Sequence, residues 1–325
     1  MKSLQIALLA VLVMLLDIPL AKAEGGLPSH HYEQWYTGSL VSPSGAQPKA
    51  GILGIEPYMT YTEPAGFFRA DGVRLPLPAH QRTVTSSTMF KYGVTDRLSL
   101  QTFPAMSYGW KDHGPTSSGI KFNDLPLDAI LTVVKPHPEH YVPTVAVFAG
   151  VLAPTGDYSH LGRATDGVGG GAWVFRTAIV QQSTFIFPNG HNFRVRAWGN
   201  FRRAISSARL VDITSYGTER GFRGWGRPGI NGQAGFSLEY GLSQRWVIAM
   251  DFARDWANGA RVRGVDGNGR TVNTKGASSS DWQVAPAMEF SWSPRFGIIA
   301  GCAIYVAGHN TNMNVAPQFA VNTVF

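Results

Sequence analysis

The residues most able to interact with a solute form an alternating run of arginines near the middle of the chain. Between 193 and 202, Arg194, Arg196, Trp198 and Arg202 share one parity, while the other parity is mostly apolar. Alternate side chains of an extended strand point to opposite faces, so the run predicts one cationic and one apolar face. Charged side chains that line a pore select solutes by the sign of their charge. The run therefore predicts either a selective channel lining or a ladder of salt bridges that fills a narrow lumen.

Further charged positions extend this candidate lining to other predicted strands. Arg176 comes from the preceding strand, and Glu239 and Asp251 come from the two strands that follow. This segregation predicts positive potential along one wall, which would favour an anionic solute such as an aromatic carboxylate. The predicted lumen or pore-lining residues are Glu56, Lys91, Asp128, Arg176, Arg194, Arg196, Trp198, Arg202, Glu239, Asp251 and Glu289.

Other motifs that could carry chemistry have simpler explanations. The segment His137-Pro-Glu-His140 resembles a ligand pair, but its prolines prevent a helical presentation of both histidines, which predicts a turn. The glycine-rich run at 167–171 lacks the lysine and the helix of a phosphate loop. No histidine falls in the middle of a predicted strand beside an outward serine, as a lipase site would need. The sequence predicts no catalytic residue, no metal site and no cofactor.

The elements that must position the charged residues are strands of about ten residues. Their side chains alternate in polarity, and turn residues separate them. Twelve such segments predict an all-β fold, a transmembrane antiparallel up-and-down β-barrel of about 12 strands. The predicted strands are 50–61, 82–92, 97–108, 125–135, 142–153, 171–183, 193–203, 233–240, 245–257, 281–292, 296–307 and 314–325.

The predicted connections alternate between short turns and long polar links. An outer-membrane barrel has short turns on the periplasmic side and longer loops outside, so the alternation favours this fold over a sandwich. The short turns lie near 93–96, 135–140, 187–192, 241–244 and 293–295, and the long links lie near 62–81, 109–124, 154–170, 204–232 and 258–280, with a shorter last link at 308–313.

Aromatic residues on two predicted strands indicate where a bilayer would lie. Trp246 and Trp256 share one face of their strand, and Trp282 and Trp292 share one face of the next. Ten rises of about 3.3 Å, tilted by about 40°, give a height of roughly 25 Å, the thickness of the apolar band of such barrels. Each strand therefore places a tryptophan at each membrane interface. Arg254 also falls on this lipid face and is expected to reach the headgroups.

Prolines inside the predicted strands conflict with regular pairing. Proline lacks the N–H group that a ladder needs, and a closed barrel has no free edge for it. We expect bulges at these positions, which are Pro57, Pro104, Pro143, Pro286 and Pro317.

The two ends of the chain indicate export and assembly in an outer membrane. Lys2, an apolar run and Ala21-Lys22-Ala23 predict a signal peptide at 1–23, with an uncleaved anchor as the alternative. Residues 24–48 are predicted to be irregular, either periplasmic or a partial plug, before a barrel at 49–325. The chain ends on an alternating strand that closes with Phe325. That strand is expected to present its aromatic end to the barrel-assembly machinery of a Gram-negative bacterium.

The composition limits the classes of partner. Charged residues are 15% of the chain, against roughly 25% in soluble domains, which favours lipid as a partner for apolar surface. The net charge of +7 is spread along the chain, so no nucleic-acid partner is predicted. Cys302 is the single cysteine, which excludes an intramolecular disulfide.

Several segments resemble one known family, the outer-membrane "MetA-pathway of phenol degradation" transporter-like proteins. The resemblance covers most of the chain after residue 48 and implies a barrel for the passage of aromatic or other small apolar compounds. It implies no catalytic residue, and the arginine-rich lumen departs from the uptake of uncharged compounds. The segments are Lys49-Ala-Gly-Ile-Leu-Gly-Ile-Glu-Pro-Tyr58, Tyr92-Gly-Val-Thr-Asp-Arg-Leu-Ser-Leu100, Leu125-Pro-Leu-Asp128, and Leu152-Ala-Pro-Thr-Gly-Asp-Tyr158 with Leu161-Gly162.

These observations predict a monomeric outer-membrane channel for passive uptake of small, aromatic or hydrophobic solutes. Twelve tilted strands make a cylinder roughly 24 Å across, which leaves at most about 10 Å between inward side chains. Outer-membrane lipid and a small solute are therefore the expected partners. Two alternatives remain, an outer-membrane enzyme of the lipase type and a structural or adhesion barrel that displays the long external loops.

Overall fold

The computed structural model describes residues 33–137 and 142–325, which form nineteen strands and one turn of 3-10 helix at Ala164–Asp166. None of these residues forms a helix long and apolar enough to cross a bilayer. The strands are β1 Leu53–Phe68, β2 Arg74–Leu75, β3 Gln81–Gly93, β4 Leu98–Thr102, β5 Ala105–Lys111, β6 Lys121–Phe122, β7 Leu125–Val134, β8 Thr144–Ala153, β9 Val174–Ile186, β10 Asn192–Ala204, β11 Ala208–Val211, β12 Arg223–Arg227, β13 Asn231–Gly241, β14 Trp246–Ala257, β15 Arg261–Val265, β16 Thr271–Lys275, β17 Ser279–Ser293, β18 Phe296–His309 and β19 Thr311–Val324.

The wall of the molecule is a closed antiparallel barrel of twelve strands, which confirms the predicted fold class. Strand β1 pairs with β19 on one side and with β3 on the other, so the sheet has no open edge. Strands β4 and β5 count as one wall strand because they meet at the break around Pro104. The chain end completes the closure, since Phe325 and Leu53 exchange backbone hydrogen bonds of 2.9 and 3.2 Å.

The two faces of the wall have the predicted polarity. On β14, Trp246 and Ile248 are exposed on the outside, while Val247 and Asp251 are buried on the inside. Strand β17 repeats the pattern, with an exposed Trp292. Exposed aromatic and aliphatic side chains on the exterior match a lipid-facing wall. The faces predicted for these two strands are confirmed.

The prolines disturb the barrel less than the sequence indicated. Pro57, Pro286 and Pro317 sit in strands and stay in register with Thr88, Met250 and Cys302 respectively. The expectation of bulges at these three prolines is therefore wrong.

The register instead shifts at other places on the wall. The shifts occur between Pro64 and Gly66, between Thr132 and Val134, between Trp282 and Gln283, and between Ser291 and Ser293. Pro143 precedes β8, where no ladder hydrogen bond is required of it. Proline is tolerated in this wall because each proline removes only one backbone N–H donor from the hydrogen-bond ladder of its strand.

The ends of the barrel differ in structure. The short-turn end carries tight connections, whereas the links near 204–232 and 258–280 contain β11, β12, β15 and β16, which form a separate four-stranded sheet. The sequence analysis treated both links only as long loops. The predicted link at 308–313 is a tight turn instead, because β18 and β19 meet at Asn310, whose φ is 51°.

The predicted signal peptide at 1–23 and the histidine His140 lie outside the described residues. The domain boundaries at 23 and 48 therefore stay predictions.

A candidate site in the barrel lumen

An irregular segment, residues 33–48, enters the lumen from the short-turn end of the barrel. It begins against the β13–β14 turn, where the Gln34 amide donates to the carbonyl oxygens of Ser243 and Gln244 at 2.8 and 2.9 Å. It ends against the β3–β4 turn, where the Gly51 N–H donates to the Gly93 carbonyl oxygen at 2.8 Å. Because the segment enters and leaves at one end, its middle forms a loop inside the barrel. We call residues 33–48 the lumen segment.

Two buried wall carboxylates hold the backbone of the lumen segment. Glu289 accepts hydrogen bonds from the Thr37 and Gly38 N–H groups at 2.7 and 3.1 Å. Asp251 accepts one from the Val41 N–H group at 2.8 Å. An irregular chain has no ladder partners for its N–H groups, so these carboxylates replace the missing acceptors.

Two arginines and one glutamate form the charged centre beneath the lumen segment. Arg194 pairs with Glu239, and a second arginine, Arg196, approaches the same carboxylate at 3.1 Å. The Arg194 guanidinium also lies 3.5 Å from the centroid of the Tyr36 ring, a cation–π contact. Arg196 donates to the side-chain oxygen of Gln182 at 2.9 Å. Each charged group here therefore has a protein partner.

A cavity of about 360 Å³ lies between the lumen segment and the wall. Its lining combines charge with aromatic surface. Arg176 pairs with Asp128 at 3.1 Å, and the rings of Tyr58 and Phe103 lie 5.6 Å apart. Six of the predicted residues line this cavity, namely Glu56, Lys91, Asp128, Arg176, Arg196 and Arg202.

A second cavity of about 210 Å³ lies toward the long-loop end. Asp255 and Asp281 lie directly opposite each other on β14 and β17 at its edge. The amides of Gln233 and Gln283 donate to Asp255 at 3.1 and 2.7 Å. Arg202 lines both cavities and, among the described residues, forms no ion pair within 4.0 Å. It is therefore a cation at the junction of the two cavities whose charge no carboxylate neutralises by contact.

The remaining predicted residues lie deeper in the packed part of the barrel. Trp198 is buried and donates to the Gln233 side-chain oxygen at 3.0 Å. Glu289, Asp251, Glu239 and Arg194 make the contacts given above. All eleven predicted residues point into the barrel, but their role as a solute-contacting lining stays a prediction.

Two acidic residues were missed as functional residues, and residues 24–48 were left open between a periplasmic segment and a partial plug. Asp255 has the parity of Asp251, and Asp281 precedes the outward Trp282, so the predicted faces already placed both carboxylates inside. The position of the lumen segment had no comparable signal, because residues 33–48 show no alternation of polarity.

The long loops pack against one another at the long-loop end. Asp124 accepts hydrogen bonds from the Gly156 and Gly170 N–H groups at 2.9 and 2.7 Å. Tyr216 donates to the Gly170 carbonyl oxygen at 2.5 Å, and burial raises the pKa of its hydroxyl. The Gly221 N–H group lowers the pKa of Asp212 by donating to its carboxylate. Within 33–137 and 142–325, no cluster of three or more metal-ligating side chains occurs.

Comparisons with known proteins identify the fold but not a family. No protein-family model matches the chain, and no curated protein sequence matches it. An outer membrane channel from Pseudomonas putida F1 is similar in structure, with a TM-score of 0.61 and 14% identity over 88% of this chain and 100% of that one. The transport unit of the autotransporter AIDA-I from Escherichia coli gives a TM-score of 0.47 and 9% identity, over 89% and 95% of the two chains.

A third solved structure, the TodX monoaromatic hydrocarbon channel, gives a TM-score of 0.37 and 11% identity, over 85% of this chain and 89% of that one. Similarity at these identities shows the fold alone. Neither sequence comparison supports the family that the sequence motifs suggested, and membership of that family stays a prediction.

Proposed function

We propose that the protein is a channel for passive uptake of small solutes across the outer membrane of a Gram-negative bacterium. The observation that carries the proposal is a closed barrel with an apolar exterior and a charged interior that keeps cavities of about 360 and 210 Å³. A barrel that served only as a scaffold could fill its interior with side chains, as small barrels do. The similarity of fold to a bacterial outer membrane channel is consistent with this proposal.

We further propose that the lumen segment controls the resistance of the channel. Its anchors are side chains of the wall and carbonyl oxygens of the β13–β14 turn, so it can leave without breaking a ladder hydrogen bond between strands. Each such hydrogen bond contributes about 0.5–3 kcal/mol. Water in the opened lumen would hydrate Glu289 and Asp251 and offset part of that loss. The block is therefore removable at moderate cost.

The solute class we propose is a small aromatic compound, preferably one with an anionic group. Arg202 supplies an accessible cation, and Arg176 lies on the same side of the larger cavity. Tyr58 and Phe103 supply aromatic surface within that cavity. A carboxylate could approach the guanidinium groups while its ring packs on the aromatic side chains. The resemblance to a phenol-degradation family is consistent with an aromatic solute but does not explain the arginines.

Locking the lumen segment to the wall tests both parts of the proposal. A Cβ atom built on Gly45 lies 3.0 Å from the Cβ atom of Gln182, about 0.5 Å short of the spacing of about 3.5–4.5 Å in disulfides, and a small outward shift of the irregular lumen segment closes that gap. The variant Gly45→Cys with Gln182→Cys, in a Cys302→Ser background, should therefore form a bridge. We expect low conductance in planar bilayers when the variant is oxidised, and higher conductance after reduction.

The matched controls are Cys302→Ser alone and Cys302→Ser with Gln182→Cys, whose conductance should not respond to reductant. Conductance that is equal in the oxidised and reduced double-cysteine variant would contradict control by the lumen segment. A folded protein without conductance in any of these samples would contradict the channel itself. Lipid hydrolysis by the same samples would favour the lipase alternative.

A further inference from the structure

The four-stranded outer sheet extends one part of the barrel wall beyond the expected membrane. Its strands pair in the order β11, β12, β15, β16, the same order as the wall strands β10, β13, β14 and β17 to which they connect. Only three residues separate β12 from β13, β14 from β15, and β16 from β17. The outer sheet therefore stands directly above this third of the lipid-facing wall.

One face of the outer sheet is basic and unneutralised. Its four strands contain six basic residues and no acidic residue, and all six are exposed. None of the six forms an ion pair within 4.0 Å with an acidic residue in the described ranges. We call this surface the basic face; its cations are Arg209, Arg223, Arg227, Arg261, Arg263 and Lys275.

The row of the basic face next to the barrel consists of cations alone. Arg227 lies directly opposite Arg261, which lies directly opposite Lys275. Directly opposite side chains in a sheet have Cβ atoms about 4.5–5.5 Å apart, and like charges at that distance destabilise the pairing. Three like charges in a row of about 10 Å are therefore unfavourable without an anion. Arg227 donates to the Ala204 carbonyl oxygen at 2.9 Å, and an anion with several negative charges would stabilise the row as a whole.

The next row combines two cations with a tryptophan. Arg209 and Arg263 flank Trp225, whose side chain is 57% exposed. Tryptophan is enriched at membrane interfaces, where one part of its ring system is apolar and its N–H group is hydrated. Arginine binds phosphate groups through paired N–H donors. In this row the arginines suit phosphate groups, and the tryptophan suits the neighbouring acyl chains or sugars.

The other loops pack against the opposite face of the outer sheet, and not against the basic face. Leu210, Phe222 and Val262 are buried on that opposite face and pack with Tyr158 and Ala172 of the β8–β9 loop. The basic face is therefore turned away from the remaining outer loops. Below it, the exposed tryptophans of the wall mark the level of the membrane interface.

We propose that the basic face binds the phosphate groups of an anionic glycolipid of the lipopolysaccharide class in the outer leaflet. The proposal rests on the outer-membrane placement proposed above, but not on conduction of a solute. Charge complementarity and the position of the face directly over the lipid-facing wall support this partner. Bound phosphates would bridge Arg227, Arg261 and Lys275 and so remove their mutual repulsion.

Binding of purified lipopolysaccharide to the folded protein in detergent tests the proposal. The test variant is Arg227→Gln with Arg261→Gln and Lys275→Gln. The control variant removes the same charge from exposed positions outside the four strands, through Lys111→Gln with Arg220→Gln and Arg270→Gln. We expect the test variant to bind on the order of a hundredfold more weakly, because each cation contributes separately to binding at an anionic surface.

Three further arms identify the ligand chemistry. Wild-type protein should bind dephosphorylated lipopolysaccharide at least about tenfold more weakly than the phosphorylated form, and inorganic phosphate more weakly still. Raising the salt concentration should weaken binding to the phosphorylated form, because ions screen exposed charges. A single-stranded oligonucleotide of matched charge should bind more weakly than the glycolipid. Tighter binding of the oligonucleotide would reassign the basic face to a different polyanion and overturn the proposal.

Folding and channel function are measured separately so that their failures remain distinct. The altered migration of folded barrels in unheated gels reports folding, and the conservative variant Arg227→Lys with Arg261→Lys keeps the charge if the glutamine variant does not fold. A loss of binding below about tenfold in the test variant, or an equal loss in the control, overturns the proposal. Conductance in phospholipid bilayers without lipopolysaccharide should be the same for wild type and the test variant. A wild-type protein that binds the glycolipid but does not conduct would contradict only the channel.

Discussion

The two halves of the lumen carry similar side chains but use them differently. At the short-turn end, Arg194, Arg196 and Glu239 are buried in mutual ion pairs beneath the lumen segment. At the long-loop end, Arg202 borders two cavities and forms no ion pair within 4.0 Å among the described residues. The difference lies in the partners that the fold brings to each charge. A charge that already has a protein partner stabilises the barrel, whereas an unpaired charge that faces a cavity is available to a solute.

The lumen segment creates this difference. Its backbone N–H groups bind Glu289 and Asp251, and its Tyr36 ring covers Arg194. The same charged residues would face water in a barrel without the segment. Whether a charged residue of the lumen stabilises the barrel or meets a solute therefore depends more on the half of the barrel in which it lies than on its residue type.

Removing the shared carboxylate of the packed half should produce the largest loss of stability. The variant Glu239→Gln leaves Arg194 and Arg196 buried close together without their counter-charge. Breaking a buried ion pair by removing one partner costs about 3–5 kcal/mol. We expect a loss of that size in the free energy of unfolding, measured by urea titration of the protein in lipid vesicles. Arg202→Gln is the matched control from the other half and should cost less than about 1 kcal/mol; equal losses would remove the distinction between the halves.

Substitutions on the outside of the wall should depend on depth in the membrane and not on the packing of the interior. Met250→Arg should cost about 2–4 kcal/mol, because the residue lies near the middle of the lipid face, and Trp246→Arg at the short-turn interface should cost about 0–1 kcal/mol. The same unfolding titration measures both. A larger cost for Trp246→Arg than for Met250→Arg would mean that the packed interior, and not depth in the membrane, determines the cost of exterior substitutions. It would also place the membrane at a different height on β14.

Reversing the charge of Arg202 should change the ion selectivity of the channel. In the variant Arg202→Glu, the junction of the cavities acquires a negative charge beside Asp255 and Asp281. We expect the reversal potential in a salt gradient to shift toward cation selectivity, and uptake of benzoate to slow more than uptake of phenol. Arg202→Lys keeps the charge and should leave selectivity nearly unchanged. An unchanged reversal potential in a conducting Arg202→Glu barrel would show that the solute path avoids this junction.

The strands and their faces could be predicted because both depend on local sequence. A wall strand contacts lipid on one side and the lumen on the other, so its polarity must alternate with every residue. Trp246 and Asp251 therefore reveal their sides without any knowledge of neighbouring strands. The outer sheet was missed because its strands are only four or five residues long and lie in links rich in glycine and arginine. Such short segments differ little from loops in their local pattern.

Local residue patterns predict the barrel, its inward charges and the asymmetry between short turns and long links. Which of those charges have partners depends on contacts between residues that lie far apart in the chain. Thr37 meets Glu289 across 252 positions of sequence, and the bond uses a backbone N–H group that every residue except proline possesses. Two of the three donors to Glu289 are backbone N–H groups, which carry no side-chain signal, and the third is the Thr37 hydroxyl. The separation of buried ion pairs from an accessible Arg202 follows from where the lumen segment lies, and that position exists only once the barrel has closed around it.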